Sequence, residues 1–194
     1  MNHQVSMLSR SVNLTLKNLS SVRHMLTDSA ASTLIHSLVM SKIDSCNSLY
    51  LGMSAENMCS LQKLQNAAMR YITRSHPSVS VSEHFRNEHW LNIHQRICFK
   101  YLVIIFKCIN CFAPIPLQRK ISLRCPERMV LETSTLYPRT TYGRRSFSYM
   151  APRMWNALPL NCRIIAELDP FKVSIKTYLF DNMNTFLRRV NPFT

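Results

Sequence analysis

The stretch Ala55-Glu-Asn-Met-Cys-Ser-Leu-Gln-Lys-Leu-Gln-Asn-Ala-Ala-Met-Arg-Tyr-Ile-Thr-Arg74 decides the fold class. At about 100° per residue, Met58, Leu61, Leu64, Ala68, Tyr71 and Ile72 gather on one side of a helix. Lys63, Arg70 and Arg74 fall on the opposite side, where a helix meets water or a charged partner. Just before the stretch, Ser54 offers its hydroxyl to the free amides of the first turn. Just after it, Pro77 ends the helix, because proline lacks the amide and clashes with the preceding turn.

Similar apolar spacing recurs on both sides. Upstream, Thr27 or Asp28 can cap a helix that places Ala31, Leu34, Ile35, Leu38 and Val39 on one face. Gly52 breaks the chain after Asn47 to Leu51, ahead of the helix that opens at Ala55. Downstream, a helix from about His94 to Cys108 turns Ile97, Tyr101, Ile104, Ile105 and Cys108 inward. Its apolar surface is broad, so it is expected to be the most buried element. Pro114 and Pro116 then force a turn. Leu117 to Tyr142 shows no period and is rich in Arg, Ser, Thr and Pro, which predicts loop or extended chain, with a short strand at Met129 to Leu131. A short helix is expected from Ser146 to Ala157, ahead of Pro159. Asp169-Pro170 signals the last helix, with aspartate as cap and proline at the first helical position. Phe171, Ile175, Tyr178, Leu179, Met183 and Phe186 form its apolar side. No repeat of fixed period is present. The expected fold is mainly α, organised as a leader (1–27), a helical region (28–113), an irregular basic linker (114–145) and a C-terminal helical extension (146–194).

Composition narrows the function. Of 194 residues, 46% are hydrophobic, enough to build a core. Lys and Arg number 24 against 10 Asp and Glu, a net charge of +14 that favours a polyanionic partner. An anionic membrane surface is the competing partner, but no membrane role is expected. The longest apolar run, Tyr101 to Phe106, lies between Lys100 and Lys107 and falls far short of the ~20 residues that cross a bilayer. Met1 to Ser20 has no continuous apolar stretch, so no secretory signal is expected. Seven cysteines at irregular spacing fit reduced thiols and an intracellular site, nuclear or cytoplasmic. The two glycines, Gly52 and Gly143, are too few and too far apart for a phosphate-cradling loop, a dinucleotide fingerprint or a nucleophile elbow.

Candidate chemistry is sparse. Two-metal catalysis needs clustered carboxylates, and Asp28, Asp44, Asp169 and Asp181 are scattered, so no catalytic residue and no cofactor is expected. Cys108-Ile-Asn-Cys111 has the spacing of a zinc pair, and Cys98 and Cys125 could extend it. No second pair follows, however, and Cys98 and Cys108 occupy core positions where a thiol acts as a small hydrophobe. His84, His89 and His94 are five residues apart, which rotates each by ~140° on a helix rather than stacking them on one face. The stretch Tyr137-Pro-Arg-Thr-Thr-Tyr-Gly-Arg-Arg-Ser-Phe-Ser-Tyr149 interleaves Arg139, Arg144 and Arg145 with Tyr142, Phe147 and Tyr149. Two readings stand side by side. In one, guanidinium groups bind phosphates and aromatic faces stack on unpaired bases. In the other, the aromatics anchor a loop to the core and the arginines are merely solvated. The candidate nucleic-acid contacts are therefore Lys63, Arg70 and Arg74 on the helix, and Arg139, Tyr142, Arg144 and Arg145 in this segment.

Several longer motifs resemble a known family. Leu34-Ile-His-Ser-Leu-Val-Met-Ser-Lys-Ile-Asp-Ser-Cys-Asn-Ser-Leu-Tyr50, then Leu61-Gln-Lys-Leu-Gln-Asn-Ala-Ala-Met-Arg70, resemble the region after the polymerase palm in reverse transcriptases of LINE-type, jockey-like retrotransposons. His89-Trp-Leu-Asn-Ile-His-Gln-Arg-Ile-Cys-Phe-Lys100, Pro138-Arg-Thr, Tyr142-Gly, Arg145-Ser-Phe and Ala151-Pro-Arg-Met-Trp-Asn-Ala-Leu-Pro159 continue it in order. Phe171-Lys and Ile175-Lys-Thr-Tyr-Leu-Phe180 close a match of roughly Leu16 to Phe180. Ser45, Asn92 and Cys111 depart from the pattern, which has Tyr, Pro and Gly there. The resemblance implies a helical thumb over about Asp28 to Ile72 that grips a template-primer duplex through its backbone, followed by a C-terminal extension. The family's Phe/Tyr-x-Asp-Asp motif, its fingers-palm portion and its endonuclease match nothing here. The resemblance therefore implies a non-catalytic C-terminal fragment of an RNA-directed DNA polymerase, not an enzyme by itself. Its partners would be RNA, DNA or RNA–DNA hybrid and, in the parent protein, the palm. The alternatives are a helical protein-interaction module and a decayed element remnant without activity.

Overall fold

Residues 2–76, 78–134 and 138–190 are described by the computed structural model. Pro77 and Tyr137, both singled out in the sequence, lie outside them. The fold is mainly α, and the chain divides into two compact units, Met1–Arg96 and Ile97–Thr194.

In the first unit, α1 (Asn2–Val22) buries Val5, Val12 and Leu19, spaced seven apart and so aligned on one face. Residues 28–44 form one rod. Its parts are α2 (Asp28–Ile35), a π-helical turn (His36–Met40) and α3 (Ser41–Asp44). Thr27 caps it, its Oγ1 accepting from the Ala30 amide at 3.3 Å. The buried line Ala31, Ile35, Val39 and Ile43 advances by four residues at each step. In a 3.6-residue helix that drifts by about 40° per step, and the wider π turn takes up part of the drift. Leu38, expected inward, is left exposed and Leu34 half-buried.

Gly52, at φ 73°, supplies the left-handed step before α4 (Ala55–Thr73). The expected Ser54 cap takes a different form. Its carbonyl accepts from the Met58 amide at 3.0 Å, but its hydroxyl makes no capping bond. Helix α4 packs against α1 and α2 and buries Leu61, Leu64, Gln65, Ala68, Met69 and Ile72. Tyr71 stays half-buried because its hydroxyl donates to the Leu19 carbonyl at 3.1 Å. Buried Gln65 donates to the Leu91 carbonyl at 2.8 Å, which satisfies a polar group no apolar pattern predicts.

Arg23 ties the end of α1 to the end of α4. Its guanidinium donates to the carbonyls of Tyr71 (2.8 Å), Ile72 (2.7 Å) and Leu26 (2.9 Å), and to Asp28 Oδ1 (2.5 Å). The last carbonyls of a helix lack intrahelical donors, so a buried cation there satisfies both dipole and hydrogen bond.

After the short α5 (Ser82–Asn87), α6 (Ile93–Ile109) opens on a reciprocal capping box. Asn92 Oδ1 accepts from the Gln95 amide at 2.9 Å, and Gln95 Oε1 accepts from the Asn92 amide at 2.8 Å. Helix α6 runs from the first unit into the second. Ile97, Tyr101, Ile105 and Cys108 are buried as expected, while Ile104 is only half-buried. It ends in a Schellman motif, the Phe112 amide donating to Lys107 (2.8 Å) and the Cys111 amide to Cys108 (3.4 Å). Cys111 takes the left-handed position, φ 60°, that suits glycine.

In the second unit, Pro114 precedes α7 (Ile115–Gln118), so the proline pair starts a helical turn as well as redirecting the chain. Strands β1 (Leu123–Cys125) and β2 (Val130–Leu131) pair antiparallel. The strand expected at 129–131 is present, and its partner β1 is too short to show alternation in sequence. Then come α8 (Thr141–Arg145), α9 (Phe147–Asn156), α10 (Leu160–Arg163) and α11 (Leu168–Val190). Helix α11 begins earlier than its Asp-Pro signal. The Phe171 amide donates to the Glu167 carbonyl at 3.2 Å, which places Asp169 and Pro170 inside the first turn, where no amide is needed. Asn182 breaks its geometry (φ −122°, ψ 23°), so Phe186 and Val190 stay buried beyond the kink while Met183 does not. The core of this unit is aromatic. Phe171 stacks on Phe106 at 4.4 Å and lies 5.6 Å from Trp155, all three fully enclosed. Each such burial is worth about 1.5–3 kcal/mol.

Candidate nucleic-acid interface

Charge is unevenly shared. The first unit holds nine Lys and Arg against five Asp and Glu, and the second holds 15 against five, so +10 of the +14 sits in residues 97–194. Within the basic segment 114–145 there are seven cations and two acids.

The Arg-aromatic segment separates into inward and outward residues. Thr140 caps α8, its Oγ1 accepting from the Gly143 amide at 3.1 Å. A Cβ at Gly143 would lie 2.7 Å from the Pro138 Cβ, so only glycine lets the chain close this way. Arg144 Nε donates to the Pro138 carbonyl at 3.3 Å. Phe147 turns in against Tyr101, with ring centroids 5.6 Å apart, and Tyr149 is buried. Those two aromatics are anchors rather than stacking surfaces, which corrects half of the first reading. Arg139, Tyr142 and Arg145 are exposed, Tyr142 at 84%.

The helix candidates belong to the first unit and are less free. Lys63 is exposed on α4. Arg70 Nη2 donates to the Val79 carbonyl at 3.4 Å, and its Nε is buried without a partner among the described residues. Arg74 stands one residue past α4 in a left-handed conformation. Its Nη2 donates to the Leu26 carbonyl at 3.1 Å and its Nε lies 3.7 Å from Asp28. Arg74 thus completes the knot around Arg23, a local role its place on the helical wheel did not suggest.

Motif 151–159 also proves structural. Trp155 Nε1 donates to the Met129 carbonyl at 2.7 Å. Asn156 pairs with both peptide groups of Leu131, accepting from its amide at 2.9 Å and donating to its carbonyl at 2.8 Å. Arg153 lies 3.7 Å above the Tyr149 ring. Arg163 donates to the carbonyls of Arg128 (3.0 Å) and Met129 (3.4 Å), and burial lowers its guanidinium pKa.

Arg119, Lys120, Arg124 and Arg128, around the hairpin, are exposed cations that sequence reasoning left unnamed. Counting charge over 114–145 would have found them. Three titratable groups of α6 are turned inward. Burial pushes the Cys98 thiol up to about 12 and raises Cys108 and Tyr101, which keeps all three neutral. None of the seven cysteines is disulfide-bonded. Among the described residues no three His, Cys, Asp or Glu gather as a metal site, and no helix is long and apolar enough to cross a membrane. No protein-family model, curated protein or solved structure matches this chain.

Proposed function

We propose that the chain is a non-catalytic nucleic-acid-binding piece, equivalent to the thumb and post-thumb region of a LINE-type reverse transcriptase, that holds template-primer through phosphate contacts. The observation that carries this reading is the +10 charge of the second unit, with Arg139 and Arg145 exposed and engaged by no described residue. The ordered series of motifs from Leu16 to Phe180 supplies the family. The carboxylates support a non-catalytic role, since Asp28, Asp44 and Asp169 are each held by a cation, Arg23, Arg96 and Lys172. In the parent protein the polymerase palm would be the neighbour of the first unit, and the site of action would be intracellular.

Binding by phosphate contact is strongly salt-dependent and weakly dependent on sequence, with a log–log slope of about −0.9 per neutralised phosphate on a duplex. Titration of an RNA–DNA hybrid at about 50 and about 200 mM salt is the test. A steep loss of affinity, alike for two unrelated sequences, is expected. Absence of binding at the lower salt overturns the proposal, as does salt-resistant association of the protein with itself alone.

A further inference from the structure

We propose that the turn 138–145 is a docking platform for an unpaired nucleic-acid strand, on which Tyr142 stacks a base while Arg139 and Arg145 hold the flanking phosphates. The inference rests on the binding role proposed above and adds the kind of strand recognised there.

Tyr142 is the most exposed large apolar side chain among the described residues, at 84%. A fold gains nothing from holding an aromatic ring in water, and the same segment shows that rings can turn inward here, since Tyr149 is buried and half-buried Phe147 packs on Tyr101. Tyr142 is also presented by a stiff frame. The Thr140 cap, the glycine-only approach of Pro138 and the Arg144 bond to the Pro138 carbonyl fix α8 on both sides of the ring. A rigid frame reduces the ordering cost of binding. Arg145 follows Tyr142 by three residues on α8, so the two share a face. Arg139 precedes it by three, before the cap. The platform is therefore one exposed ring with an exposed cation three residues to either side along the chain, in the unit that carries most of the charge.

That set fits a single strand better than a duplex. Base faces in a duplex are covered by their neighbours, so an exposed ring has nothing to stack on, whereas unpaired bases offer their faces regardless of sequence. Tyr and Arg are also common at protein interfaces, and what favours a strand is the net +10 of the unit around them, which suits a polyanion. Because every base has a π-face, RNA and DNA strands are expected to bind alike.

The test uses the full chain with fluorescein-labelled 20-nucleotide U and dT strands and a 20-base-pair RNA–DNA hybrid. Tyr142→Ala removes a side chain with no bonded partner among the described residues, and an unchanged circular dichroism spectrum checks the fold. It should weaken binding to both single strands about ten-fold, the size of one base–aromatic stack, and change hybrid binding less than two-fold. Tyr142→Phe should bind like the parent chain, because stacking does not need the hydroxyl. The double variant Arg139→Gln, Arg145→Gln should weaken all three ligands and flatten their salt slopes. If Tyr142→Ala leaves strand affinity unchanged while the arginine variant weakens it, the platform is overturned and the phosphate-binding role stands. If the parent chain binds none of the three ligands, both fall. If Tyr142→Ala instead disperses a self-associated species with strand affinity intact, the ring is a protein contact and the platform is overturned.

Discussion

Replacing Arg23 by methionine tests whether the first unit hangs on a buried cation. Methionine keeps much of the stem and loses every donor. Of the four bonds Arg23 makes, two have a substitute nearby, because Arg74 also donates to the Leu26 carbonyl and lies beside Asp28. The bonds to the Tyr71 and Ile72 carbonyls have none, and both close the C-terminal end of α4. At about 1.5 kcal/mol for each hydrogen bond from a charged donor, Arg23→Met should cost about 3 kcal/mol. With a urea slope of about 2 kcal/mol per M, the midpoint should fall by about 1.5 M, followed by helical circular dichroism. Arg23→Lys should recover less than half, since one ammonium cannot span the carbonyls that a planar fork reaches. Arg74→Met, on an exposed side chain, should cost less than about 1 kcal/mol. The pH dependence has a definite sign. The hydrogen bond from Arg23 holds the Asp28 carboxyl below its ordinary value, with the charges of Arg23 and Arg74 adding to it and desolvation opposing. Its stabilisation is therefore present above the unfolded value of about 3.9 and is lost as pH falls through the lower folded value. Asp28→Asn should remove that acid-side loss. A midpoint shift under about 0.5 M for Arg23→Met, with the slope unchanged, would refute the account of the knot.

Single residues elsewhere give three more expected outcomes. Cys111→Gly relieves the left-handed strain at the end of α6 and should stabilise the chain by about 1 kcal/mol, whereas Cys111→Val should destabilise it, both read from urea midpoints. Asn156→Ala leaves the Leu131 amide and carbonyl without their partner and should cost about 2 kcal/mol, with faster hydrogen exchange at the Leu131 amide as the specific sign. Burial lowers the His94 pKa, so the folded state resists its protonation and stability should decline as pH drops below about 6.5. His94→Gln should flatten that decline in urea midpoints measured between about pH 7.5 and 5.5, and an unchanged slope would count against it.

Legibility in the chain depended on where periodicity operates. Helix α4 was legible because one apolar pattern repeats from Ala55 to Arg74 without interruption. The buried face drifted from the expected one where the backbone left the regular helix, at the π turn of His36–Met40 and at Asn182, since neither distortion has a one-residue signature. Caps were legible by residue type and not by mechanism. Thr27 caps with its hydroxyl and Ser54 does not, a difference that residue type does not carry. At the candidate interface the helical wheel put Lys63, Arg70 and Arg74 on one outer side, where the fold leaves Lys63 exposed, half-buries Arg70 and sets Arg74 just past the helix. It was blind to the carbonyls of Leu26 and Val79, which come from other parts of the chain and occupy Arg74 and Arg70. The alternation of Arg and aromatic residues from 139 to 149 likewise gave composition without direction. Only the fold separates Tyr142 from Phe147 and Tyr149.

The side chain of Asn156 bears on the protein's behaviour in a crowded solution. A hairpin of three residues against two offers an outer row of peptide groups to which any passing extended chain could add itself. Asn156 carries the same amide chemistry as a peptide bond and takes up the row at Leu131 from within the molecule, as a stub of third strand one residue long. The hairpin is thereby closed to growth at that point. Loss of the carboxamide would unpair that row and, as the hairpin loosens from α9, open a seat for strand addition, so clumping on prolonged storage would accompany the loss of stability.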